Sequence, residues 1–318
     1  MVKKKKNIKK NENIKEINKP KNSRIEKNKK QRFDVAKKEH IENTVNIGKV
    51  IFKIILILFL IFGSIYITCR YIGTSGLVVK EYSIDYDNLP DSFYGLKIIH
   101  VSDINYNSKT MPMKKVKKVV EQINILKPDL ILFTGNLVYG DITQEELKEL
   151  NSVISNLDAS IGKYAVFGED NSDIKILMKN AGFIDIEDSY DLVYGYDNEP
   201  ILINGLSNNL NLDKAFEYFA NADVDSNIFT ITLTHKPDNI KEVLKSYDIN
   251  IAFAGHSLNG LINIPGVGGI VKLEGSQTYI NSYYKERNTD IYISSGVGTR
   301  EYPYRLFNHP SISLFRLK

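Results

Sequence analysis

From Val50 to Ile67 the chain carries one charged residue, Lys53, in an otherwise almost wholly apolar run that is long enough to cross a bilayer as a single helix. A helix that is apolar on every side needs lipid or a large protein core around it. The run therefore divides the chain before any fold is considered: the residues before it are expected on one side of a membrane and the residues after it on the other. Lys53 stands near one end, where its stem can lie in hydrocarbon while the ammonium reaches the headgroups, and Tyr66 and Tyr71 suit the opposite interface.

The two flanks differ in sign. Met1 to Lys49 holds 15 Lys and 2 Arg against 6 acids, a charge of +11; the whole chain is +4, so the remainder carries −7. The first 49 residues contain too little apolar surface to offset the entropy of ordering, and a disordered or transiently helical arm is expected there. Its lysine excess places the arm in the cytoplasm and the acidic remainder outside the cell membrane. The charged leader is too long for a cleaved signal peptide, and Thr68 before Cys69 is too large for lipoprotein processing. One cysteine means no internal disulfide. The arm reads as a topology signal, so the membrane is an expected partner and nucleic acid is not. The expected organisation is a basic tail over 1–49, a transmembrane helix over 50–70, a linker and first strand over 71–95, and one domain over 96–318.

Within that domain, Leu96–Val101, Leu130–Thr134 and Tyr164–Phe167 read as buried strands. A helical pattern from Met113 to Leu126 links the first two, and a helix capped at Thr143 and running to about Leu157 links the second pair. This alternation predicts an α/β unit with a parallel sheet. Shorter strand-like runs occupy Asp191–Tyr194, Pro200–Leu206, Ile228–Leu233, Ile249–Ala254, Ile291–Ser294 and Ile312–Leu317, with helices near Leu212 to Asn221 and Ile240 to Tyr247. A second sheet is expected from them.

Five short segments lie at or near the ends of these runs: Ser102-Asp103-Ile104-Asn105, Thr134-Gly135-Asn136, Phe167-Gly168-Glu169-Asp170-Asn171, Leu233-Thr234-His235-Lys236-Pro237-Asp238 and Ala254-Gly255-His256-Ser257-Leu258-Asn259-Gly260. Open α/β sheets place their chemistry at such strand ends. In order and spacing the segments resemble the calcineurin-like metallophosphoesterases, in particular their membrane-anchored bacterial branch, whose pattern runs D-x-H, G-D, G-N-H-D, a lone His and G-H-x-H. Further likeness lies in Lys127-Pro128-Asp129, Gly296-Val297-Gly298 and Arg305-Leu306-Phe307-Asn308-His309-Pro310. The resemblance implies a four-layer αββα sandwich, two facing sheets with helices outside, and a site for two divalent metals.

A pair of divalent ions about 3.5–4 Å apart needs a shared carboxylate and several imidazole or anionic ligands to offset their repulsion. Against the family pattern, Asp103 is retained, Asn105 replaces a His, Asn136 replaces the shared Asp, and Leu258 replaces the last His. Asn105 and Leu258 are thus lost ligand positions. His235 and His256 match two family ligands, and Glu169 replaces an Asn, so the metal candidates are Asp103, Asn136, Glu169, His235 and His256. Asp170 stands where the family has its catalytic His, and Asn171 where an Asp would orient it. The expected cofactor is either none or one divalent transition metal, zinc, manganese or iron, on Glu169, His235 and His256.

Three functions are compatible with these residues. The first is a membrane-anchored pseudo-phosphoesterase that binds a phosphorylated envelope component or a partner protein. The second is a single-metal phosphoesterase. The third is a structural envelope protein that uses tyrosines such as Tyr279, Tyr283, Tyr284, Tyr302 and Tyr304 as an interface.

Overall fold

A computed structural model describes residues 19–318 save 221–224 and 226. It divides into two units between Ile65 and Tyr66. The described part of the first is one helix, Lys19–Ile67, whose last two residues fall in the second unit. Among the described residues one helix is long and apolar enough to span a membrane, and none of its apolar stretch is buried in protein. Phe52, Phe59 and Phe62 all face outward. The described helix begins at Lys19, within the arm over 1–49 for which disorder or transient helix is expected, and residues 1–18 lie outside the described residues. A helix already nucleated in the apolar run extends into the preceding Lys- and Glu-rich residues without a second nucleation cost.

In the second unit the end of that helix is followed by a π-turn, Thr68–Ile72, closed by Gly73 N–H donating to the Thr68 carbonyl at 2.7 Å. Its strands, in chain order, are β1 (Val78–Ile84), β2 (Lys97–Val101), β3 (Leu130–Gly135), β4 (Gly162–Phe167), β5 (Ile184–Asp185), β6 (Ser189–Tyr194), β7 (Pro200–Leu206), β8 (Thr230–Thr234), β9 (Ile251–Ala254), β10 (Asn263–Ile264), β11 (Gly268–Gly269), β12 (Tyr283–Glu286), β13 (Thr289–Ile293) and β14 (Ser311–Leu317). One six-stranded sheet has the order β1-β14-β2-β3-β4-β5 and a second the order β12-β13-β9-β8-β7-β6, while β10 and β11 form a small hairpin. β2, β3, β4 and β5 are parallel, as are β7, β8, β9 and β13.

Alternation along each strand sorts the residues into layers. Ile98, Leu130, Leu132 and Val166 of the first sheet share one core with Ile203, Ile231, Leu233 and Phe253 of the second. Ile99, Ile131 and Phe133 point the other way, into a core with Val116, Val120 and Ile123 of helix Met113–Leu126 and with Leu150 and Leu177. Those last two belong to the helices Gln144–Ile154 and Ser172–Asn180. Outside the second sheet, Leu206, Ala252 and Ile291 pack with Ala215, Ile240 and Val243 from the helices Leu212–Ala215 and Asn239–Val243. The result is the αββα sandwich that the resemblance implied.

Met113–Leu126 has the bounds expected of it, and Thr143 caps its helix through a reciprocal pair with Glu146, although that helix ends at Ile154. The helix expected near Leu212 to Asn221 is shorter, Leu212–Ala215 followed by a 3-10 turn, Glu217–Ala220, and Asn221 lies outside the described residues. The helix Ser172–Asn180 is an addition to the expected elements. Its cap is Asn171, whose Oδ1 accepts from Ile174 N–H at 3.1 Å. Assigning Asn171 to the family motif conceals a helix start.

His100 faces the second sheet from β2, with Nε2 2.7 Å from Thr134 Oγ1 and its ring centre 5.0 Å from that of Phe253. Burial pushes this imidazole down to about 3, against the weaker pull of the Asp103 carboxylate. A depressed histidine stabilises the fold above its unfolded value near 6.5, and that contribution is lost as pH falls toward 3. Urea unfolding of the full chain in detergent is expected to show about 2 kcal/mol less stability at pH 5 than at pH 7 from this group alone. His100→Asn should shrink the difference by that amount; an unchanged difference would contradict the buried neutral state.

Candidate functional site

The ends of β2, β3, β4, β8 and β9 bring the five segments together on one edge of the sandwich. Their backbones are unusual. Asp103, Asn105, His256 and Leu258 all have positive φ, at 47°, 48°, 63° and 47°. Non-glycine residues avoid this region, at a cost of roughly 1–2 kcal/mol each, and such strain persists where the surroundings enforce it. Close approach is enforced at two glycines. A Cβ on Gly255 would run into Ser102 and Asp103, and one on Gly168 into Asn136 Oδ1 and His235 Nε2.

Asp103 is fully buried. Its Oδ2 accepts from His256 N–H at 2.9 Å and from Ser102 Oγ at 2.6 Å, while Oδ1 has no partner. Burial alone would raise this carboxyl, but the neighbouring His235 and Arg300 with the two hydrogen bonds outweigh it and hold Asp103 below the usual carboxylate range. Asn105 is buried with neither side-chain polar atom partnered. Leu258 is fully buried beside Gly296.

The two histidines face each other, His235 Nε2 3.1 Å from His256 Nδ1. The outer nitrogen of each ring meets a backbone carbonyl: His235 Nδ1 lies 3.3 Å from the Thr134 oxygen and His256 Nε2 2.7 Å from the Glu274 oxygen. A carbonyl only accepts, so each outer nitrogen carries the proton and each inner nitrogen presents a lone pair when the ring is neutral. Burial pushes His235 down and His256 to about 4, so both rings are neutral at pH 7. Two lone pairs thus converge on one spot. Arg300 Nη2, 2.9 Å from His256 Nδ1, donates into it. Its guanidinium supplies a positive charge beside Asp103.

The remaining expected residues turn elsewhere. Asn136 Oδ1 accepts from Glu169 N–H at 2.5 Å, so Glu169 joins the site through its backbone while the residue itself is exposed. Asp170 is partly exposed, but its carboxylate packs against the chain, Oδ2 accepting from Leu137 N–H at 2.8 Å and Oδ1 from Val138 N–H at 3.3 Å. Burial pushes it up to about 7 against those two bonds. Among the described residues no three His, Cys, Asp or Glu side chains form a group able to hold a metal ion. Asp103, Asn136, His235 and His256 come together, and Arg300 joins them without having been singled out in the sequence. An arginine two residues after the Gly296-Val297-Gly298 turn was the available signal.

Two facing sheets thus carry strand-end loops that gather an aspartate, an amide and two histidines. The chain belongs to the calcineurin-like phosphoesterases, whose sequence profile matches residues 96–260. It is 28% identical over 262 residues to the uncharacterized metallophosphoesterase YkuE of Bacillus subtilis, covering 80% of this chain and 91% of that one. It is 23% identical over 289 residues to the UDP-2,3-diacylglucosamine pyrophosphatase LpxG of Chlamydia muridarum, covering 72% and 86%. A transmembrane protein with a metallophosphoesterase domain from Danio rerio is 22% identical over 263 residues, covering 76% and 57%.

Gly168→Ala should lower stability by roughly 1–3 kcal/mol, because Asn136 and His235 have little room to yield. Denaturant unfolding of the full chain measures this. Stability within a few tenths of the parent would contradict the close packing of these loops.

Proposed function

We propose that this chain is a single-pass membrane member of the family that binds a phosphorylated component of the cell envelope without hydrolysing it. The observation that carries the reading is Arg300 Nη2 at 2.9 Å from His256 Nδ1, a built-in cation at the point where two imidazole lone pairs meet. The donor set does not fit a pair of divalent ions. Asn136 offers no shared negative charge, its oxygen is engaged by Glu169 N–H, and the positions of Asn105 and Leu258 offer no imidazole. A monovalent guanidinium satisfies one lone pair and balances Asp103 without the repulsion of two ions. The N-terminal lysines support a cytoplasmic N-terminus, which would leave the phosphoesterase-like domain facing the envelope.

A second reading, a single-metal phosphoesterase, is favoured by one feature. The 3.1 Å between the histidine nitrogens is close to the roughly 3.3 Å that separates two ligands of one tetrahedral ion with bonds of about 2.0–2.1 Å. Such an ion would have to displace Arg300 and recruit Glu169.

Metal analysis of the full chain purified in detergent and exposed to zinc and manganese, with turnover of bis(p-nitrophenyl) phosphate, separates the readings. Less than a tenth of an equivalent of metal and no turnover above buffer are expected. One tightly held ion per chain, with turnover abolished by His256→Ala, would overturn the binding reading. Arg300→Ser should raise zinc affinity at least tenfold, since it vacates the point between the rings.

A further inference from the structure

Arg305 and Asn308 lie in a segment that resembles the family but contributes nothing to the point where the histidine rings meet. Both are buried. Arg305 Nη2 donates to the carbonyls of Gly296 and Gly298 at 3.1 and 2.6 Å, while Nε and Nη1 have no partner. Burial pushes the guanidinium down to about 10, against the pull of the Asp103 carboxylate. A buried cation left half-satisfied is a costly way to hold two carbonyls together.

The two carbonyls belong to the turn packed under the site. The Ser102 carbonyl accepts from Val297 N–H at 3.1 Å, and the Asp103 carbonyl accepts from Val297 N–H at 3.2 Å and from Gly298 N–H at 2.8 Å. No space is left between these segments: a Cβ on Gly298 would run into the Ile104 carbonyl, and one on Gly296 into the Leu258 side chain. Two residues past Gly298 the same stretch of chain delivers Arg300. Asn308 reaches the opposite wall. Its Nδ2 donates at 2.6 Å to the carbonyl of Leu258, two residues past His256. One short segment thus grips the turn beneath Asp103 with one side chain and the His256 loop with another.

Asp103, His256 and Leu258, on these two walls, are held at positive φ, and such strain persists only where the surroundings enforce it. The contact of Arg300 Nη2 with His256 Nδ1 bridges the two walls, so it depends on both grips. We infer that Arg305 and Asn308 are positioning residues of the strand-end site, which together fix the separation of the turn carrying Arg300 from the His256 loop and so hold the Arg300 guanidinium on the His256 lone pair. Their role is the same whichever ligand the site takes.

The test uses the full chain purified in detergent, first without metal. The nitrogen resonance of His256 Nδ1 reads the Arg300 contact, because a lone pair that accepts a hydrogen bond resonates apart from a free one. In Arg305→Lys and in Asn308→Ala this signal is expected to move in the direction that Arg300→Ser moves it, and the zinc affinity of the folded protein to rise at least about fivefold. Combined with Arg300→Ser, either substitution should add less than about a further twofold, since the contact it supports is already gone. Ile123→Val, in the core behind the helix Met113–Leu126, is the control for lost stability and should leave both readouts at their parent values. A lowered unfolding midpoint with an unmoved His256 signal would show a merely structural role and overturn the inference, and Asn308→Ala decides this even where Arg305→Lys does not fold. Zinc held tightly by the unaltered chain would instead overturn the binding reading of the site, and the metal-free resonance would still decide the role of these two residues.

Discussion

The carbonyl oxygens of Thr134 and Glu274 govern the state of the strand-end site. Each takes the proton of one buried imidazole and so turns the other nitrogen of His235 and of His256 into a bare lone pair, the two aimed at one point. Low polarity keeps both rings neutral, so the convergence is not relieved by taking up a proton at pH 7. A hydrogen-bond donor is needed there. Outer N–H groups held by carbonyls are also how metal-binding histidines are commonly oriented. Arg300 brings a guanidinium to the same point from a segment that the recognisable motifs do not include.

The sandwich makes this arrangement possible by placing five strand ends on a common edge and by tolerating backbone strain there. Asp103 and His256 are held at positive φ by loops packed so closely that Gly255 and Gly168 have no space for a Cβ. The strain is offset by the shared core between the sheets, where Phe253, Phe315 and Tyr292 lie ring against ring. Two of the motif residues do structural work. Asn136 fastens Glu169 N–H, and Asn171 caps a helix.

Much of this is legible in the sequence, for identifiable reasons. Strands buried on both faces are continuous apolar runs, so Leu130–Gly135 and Pro200–Leu206 stand out, and their ends locate Asn136 and the other loop residues. One edge strand does not stand out: Tyr283–Glu286 is too polar to read as one. Arg300 escapes because its role depends on two backbone carbonyls and on a turn far from His256 in the chain, and neither leaves a side-chain pattern. Glu169 is expected by its carboxylate and contributes by its N–H, a distinction no sequence carries.

Histidine nitrogen shifts measured by NMR on the full chain at pH 7, with and without added zinc, test the central point most directly. Expected are two neutral rings in opposite tautomers, His235 protonated at Nδ1 and His256 at Nε2, with shifts that zinc leaves unchanged while Arg300 is in place. An imidazolium at either position, or zinc-shifted signals from both inner nitrogens in the unaltered chain, would contradict it.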